Sequence, residues 1–157
     1  MTDEKKQQFV LRISQANKTE MIVILYEMFL IYLKDAEEAL DKDDIRSFRE
    51  KIKRARACLN ELTESLNFEY ELAGTFLSLY VYITKLLVRA DIHKEKAPLK
   101  ESEKIISRLH DAYVQIVPED KSGPVMSNTQ TVYAGLTYGR NDINISTDSD
   151  TNRGFLV

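Results

Sequence analysis

A chain of 157 residues is long enough for one domain with a sizeable core and a tail. Charged residues at 30% and hydrophobic ones at 43% suit a folded, water-soluble protein. A net charge of only −3 gives no reason to expect nucleic acid or an anionic membrane as a partner.

The first stretch, "MTDEKKQQFV", alternates acid and base and has no apolar core behind a positive segment, so it is not a secretory signal. Residues 1–16 are expected to be a flexible lead-in, and the cytoplasm is the simplest location. Cys58 is the sole cysteine, which rules out an internal disulfide. Asn17-Lys18-Thr19 and Asn144-Ile145-Ser146 match the glycosylation sequon, by chance if no signal is present.

The first helix opens at Asn17, with Glu20 three residues on in a capping-box arrangement, and should run to about Asp41. Twelve of its thirteen residues from Met21 to Leu33 are apolar or Tyr, and only Glu27 interrupts them. That run is short of the roughly 18–20 residues of a membrane span, so no membrane insertion is expected. Ile22, Leu25, Phe29, Leu33, Ala36 and Leu40 form one seam, while Ile24 and Ile31 point roughly the other way with Met21 and Met28 between. The surplus fits either a central helix with several neighbours or a groove for a partner's helix, and the pattern does not say which stripe faces the core.

"DKDD" makes a turn, with Asp43 or Asp44 as the next cap. A narrow stripe follows at Ile45, Phe48, Ile52, Ala55, Leu59, Leu62 and Leu66, alternating three and four residues apart as a bundle helix does. Its outer faces carry Arg46, Arg49, Lys51, Lys53, Arg54 and Arg56, read as a solvated surface because no aromatic residues interleave. A third helix, about Tyr70 to Ala90, repeats the stripe at Leu72, Phe76, Leu79, Ile83, Leu86 and Ala90. It leaves Leu77, Val81 and Val88 off it. A fourth begins near Pro98 and places Ile105 or Ile106, Leu109, Ala112 or Tyr113, and Ile116 on one side, until Pro118 stops it.

From Pro118 onward four of the five glycines and many Ser, Thr, Asn and Asp residues predict an irregular or disordered tail. Within it, Val132, Tyr133, Leu136 and Tyr138 offer apolar side chains to a hairpin or docking segment. The chain therefore divides into 1–16, a helical domain 17–117 and a tail 118–157. The expected fold is all-α, an antiparallel up-and-down four-helix bundle.

Catalytic patterns are missing. Ala90 and Ser107 stand where Glu-x-x-His pairs would need carboxylates, and there is no HExxH, phosphate loop or nucleophile elbow. "HDAYV" at His110 lacks the Lys and Gly of a phosphotransfer site, His93 lies in a charged link, and Cys58 reads as a small hydrophobe beside the core. No enzyme, metal or cofactor is expected.

"ISQANKTEMIVILYEMFLIYLKDAEEAL" resembles the FliS family of flagellar secretion chaperones. Ile13 to Met21 stand where that family has Val-x-Thr-Ala-Ser-Pro-x-Glu-Leu, and Leu25-Tyr26-Glu27-Met28 stand where it has a Leu-Tyr-Asp/Glu-Gly step. "KIKRARACLNELTESLNFE", "LYVYITKLLVRADI" and "IISRLHDAYVQI" continue the likeness in order over residues 10 to 117. Lys18 replaces the family's Pro, Met28 its small residue, and Tyr113 stands where a Trp is common.

The resemblance implies a cytoplasmic chaperone. It would bind the disordered C-terminal segment of flagellin, stop early polymerisation and help delivery to the export gate. Met21, Ile24, Met28, Ile31, Leu77, Val81 and Val88 are the candidate partner-binding residues, and by analogy Phe9, Val10 and Leu11 cover the groove until the ligand arrives. A homodimer through the same apolar surface stays open. The alternative is a non-enzymatic scaffold or regulatory bundle that binds another amphipathic helix.

Overall fold

The computed structural model describes residues 1–126. Five α-helices and one 3-10 turn follow in order, with no strand among the described residues: α1 (Asp3–Gln15), α2 (Lys18–Asp41), α3 (Ile45–Glu64), α4 (Leu72–His93), α5 (Ala97–Ile116) and the turn Val117–Glu119. The fold is all-helical. The tail segment with Val132, Tyr133, Leu136 and Tyr138 lies outside the described residues.

Local sequence accounts for most boundaries. α2 begins directly after Asn17 and ends at Asp41, as its cap and charge signals predict. The Asp44 carboxylate accepts the Ser47 backbone N–H at 3.0 Å and so caps α3. Pro98 sits in the first turn of α5, where its missing N–H costs nothing, and Pro118 falls within the 3-10 turn that ends it.

α4 closes on Lys94, whose left-handed backbone (φ 56°, ψ 43°) is one that glycine adopts more readily. The Lys94 side chain answers that strain locally. Its ammonium donates to the Asp91 carbonyl, lies 3.1 Å from the Asp91 carboxylate, and sits 5.6 Å from the centre of the Phe48 ring on α3.

The sequence assigns no helix before Asn17, yet α1 occupies residues 3–15. The Thr2 hydroxyl accepts the Lys5 N–H at 3.3 Å, Asp3 and Glu4 lie in the first turn and Arg12 in the last, all favourable to the helix dipole. Residues Thr2–Lys18 and 122–126 belong to a compact unit separate from Thr19–Lys121. Within it the Arg12 guanidinium lies 5.4 Å over the Phe9 ring, and the Val125 N–H donates to the Ala16 carbonyl at 3.0 Å.

In the larger unit α2, α3, α4 and α5 share one core. Tyr26, Phe29 and Leu33 of α2 meet Phe48, Ile52, Leu59 and Leu62 of α3, Tyr80, Ile83 and Leu87 of α4, and Leu99 and Ile106 of α5. Polar contacts reveal the directions. Asp41 pairs with Lys96, Glu37 with Lys100 at 2.8 Å, and Glu27 with His110 at 3.4 Å. Each step back along α2 is matched by an equal step forward along α5, so the two run antiparallel in one register. Asp35 meets Lys51 across α2 and α3, and Arg49 near the start of α3 meets Asp91 near the end of α4.

Candidate functional site: an apolar stripe on α4

α4 packs against both α3 and α5. Its inner face buries Ala73, Tyr80, Ile83, Leu86, Leu87 and Ala90. Of the stripe expected from periodicity, Ile83, Leu86 and Ala90 are inside, Phe76 and Leu79 are half-buried, and Leu72 is out in solvent. Tyr80 and Leu87, not counted on that stripe, complete the inner face. α4 is apolar nearly all round, so periodicity alone could not select the buried side.

The surplus lies outside. Val81, Val88 and Ile92 are 46%, 38% and 67% exposed, and Leu77 is half-buried on the same line. With Thr84 they recur at three- and four-residue steps, which puts them on one outer stripe of the helix. Ile92 was missed because the helix was expected to end at Ala90, although the four-residue step from Val88 points to it. Phe68, Tyr70 and Leu72 are also exposed just before and at the start of α4.

Among the described residues α4 is the one helix long and apolar enough, by length and composition, to cross a bilayer. Its inner face nonetheless lies in a core shared with α2, α3 and α5, which accounts for the apolar side chains on that face. The outer stripe is left unexplained by packing.

α2 behaves differently. Ile24 is 2% exposed, so in this conformation it offers no surface to a partner. Met21 and Ile31 are half-buried, and Met28 is half-buried against the core. The expected seam is divided too, with Phe29, Leu33 and Ala36 buried and Ile22, Leu25 and Leu40 half-buried against the core. Val23, Tyr26, Tyr32 and Ala39 are buried as well, so α2 is enclosed on more than one side. On α1, Phe9 is buried, Val10 half-buried and Leu11 exposed.

The polar centre of the core is a tyrosine cluster that sequence reasoning passed over. The Tyr26 and Tyr80 hydroxyls are hydrogen-bonded at 2.6 Å in a buried setting, and the Tyr113 ring meets Tyr26 edge-on at 5.7 Å. Burial raises all three phenols above the usual tyrosine range, Tyr80 up to about 12 and Tyr26 further. A neutral phenol pair of this kind orients helices and has no proton to give near neutral pH.

Burial pushes the Cys58 thiol up to about 12, which keeps it protonated and unreactive. His93 is exposed at the end of α4, and His110 lies between Glu27 and Asp111. Among the described residues no three His, Cys, Asp or Glu side chains gather in a way that would hold a metal ion.

The family model described as "Flagellar protein FliS" matches residues 1–120. A curated relative, the flagellar secretion chaperone FliS of Bacillus subtilis (strain 168), is 27% identical over 109 residues, which cover 69% of this chain and 82% of that protein. The family match takes in all five helices, and the chain therefore belongs to the flagellar protein FliS family.

Proposed function

We propose that this chain is a cytoplasmic flagellar secretion chaperone without catalytic activity, built on α2 to α5 as an antiparallel four-helix bundle. It binds the disordered C-terminal segment of flagellin as a helix, keeps it from polymerising early, and presents it to the export gate. The observation that carries this reading is the outer stripe of α4, with Leu77, Val81, Val88 and Ile92 unclaimed by the core, on a chain of the FliS family. Exposed contiguous apolar side chains mark interaction sites, and an amphipathic helix in a groove is the recurring way to cover them. A disordered ligand spends part of its binding energy on ordering itself, so a large contact remains compatible with release at the gate.

Met21, Met28 and Ile31 on α2, half-buried, are assigned as secondary contacts. The test is a pull-down with the full chain from the cytoplasm of its own cell, with mass identification of what comes along. Flagellin should co-purify, and a Val81→Asp/Val88→Asp variant that melts normally should lose it. Retention of flagellin by that variant would place the contact elsewhere. Consistent recovery of a different helical protein would favour the scaffold reading.

A further inference from the structure

The rims of the α4 stripe carry a second message. Lys85 and Arg89 lie along one edge of it, by their helical positions. The other edge is marked by Asp91, which reaches across to Arg49 of α3 at 3.2 Å. That edge therefore faces α3, and the α3 face nearest it presents Arg49, Lys53 and Arg56 at three- and four-residue steps, all exposed. Arg49 is held by Asp91, and Arg89 lies 3.9 Å from Glu95. Among the described residues no carboxylate pairs with Lys53, Arg56 or Lys85. On the Lys85 edge the exposed Tyr82 hydroxyl donates to the Glu101 carboxylate of α5, so the rims hold carboxylates as well. The unpaired charges beside the stripe, Lys53 and Arg56 on one side and Lys85 on the other, are nonetheless all cations in a protein of net charge −3.

We infer that this stripe is a docking site selective for an acidic amphipathic helix, one whose apolar line is bordered by carboxylates. The inference rests on the chaperone reading and deepens it by naming the chemistry of the segment that is held. The apolar line gives contact area, and the rims decide which helices approach and which are rejected, since like charges across a rim repel and opposite ones steer. From Leu77 to Ile92 the stripe runs about 22 Å, the length of about four helical turns.

The probe is a labelled peptide of about 18 residues with leucines at i, i+4, i+7 and i+11 flanked by glutamates, compared with the same peptide flanked by lysines. Binding to the full chain is read by fluorescence anisotropy at low and high salt. The glutamate peptide should bind about tenfold more tightly at low salt, as several exposed ion pairs would give together. The gap should narrow in high salt. Lys53→Glu/Arg56→Glu should reverse the preference, and Lys53→Gln/Arg56→Gln should reduce it without altering the melt. Equal binding of the two peptides, or a preference unmoved by both variants, overturns the inference. Binding to phosphatidylglycerol vesicles with no discrimination between the peptides overturns it as well.

The two readings fail separately. If the Lys53→Glu/Arg56→Glu variant carries flagellin as well as the parent does, the rim inference falls and the chaperone reading stands. If the unaltered chain selects the glutamate peptide but never co-purifies with flagellin, the chaperone reading falls instead.

Discussion

Replacing Tyr26 or Tyr80 by Phe isolates one hydrogen bond, because the ring and its aromatic neighbours stay in place. Tyr26 is fully buried and Tyr80 is 3% exposed, so each single change leaves the other hydroxyl with no water and no phenol partner. An orphaned buried hydroxyl costs about 1–3 kcal/mol. Tyr80→Phe should be the worse of the two, since it strands the deeper hydroxyl of Tyr26.

The double variant removes both polar groups and leaves two apolar ring edges in contact. Its cost should fall below the sum of the singles by at least about 1 kcal/mol. Urea unfolding followed by circular dichroism measures all four proteins. At a slope of about 2 kcal/mol per molar, a single-variant loss of about 2 kcal/mol moves the midpoint by about 1 M. Additivity of the two singles to within about 0.5 kcal/mol would refute the reasoning. The two hydroxyls would then each be satisfied by something other than one another.

The same phenols set an alkaline limit. Because burial raises Tyr26, Tyr80 and Tyr113 above their ordinary value of 10.0, the unfolded chain ionises them first. Their contribution is present in full below pH about 10 and is lost progressively above it, that of Tyr80 as the pH rises through about 12; Tyr26→Phe should flatten that decline in urea midpoints taken at rising pH. Ile24→Asp should cost at least about 4 kcal/mol, as a buried unpaired carboxylate does, whereas Val88→Asp should leave the melting transition almost unmoved. Thermal melts of these two variants side by side check the assignment of inside and outside. Asp44→Ala removes the cap on Ser47 and should lower stability by about 1 kcal/mol, read as a shift in urea midpoint at an unchanged slope.

What could be read beforehand followed the contrast within each helix. α3 has one narrow apolar line among charges, and five of its seven named positions are buried as expected, with Ile45 and Leu66 half-buried at the ends. α2 and α4 lack that contrast. When nearly every face is apolar, the buried side is chosen by neighbours distant in sequence, and these placed Ile24 inside and Leu72 outside. α1 was legible in principle, from Thr2 followed by Asp3 and Glu4, but its weak apolar pattern gave the cap little support. The cationic rim was visible only as a run of Arg and Lys on α3. That it borders the α4 stripe depends on how the two helices are packed.

Lys94 couples two decisions that most helix ends keep apart. Its backbone turns the chain out of α4, and its ammonium sets the spacing between that turn and Phe48 at the start of α3. Substitutions in the short link to α5 disturb one function at a time, but an inserted or deleted residue displaces both together. Among relatives of this chain the link should hold its length.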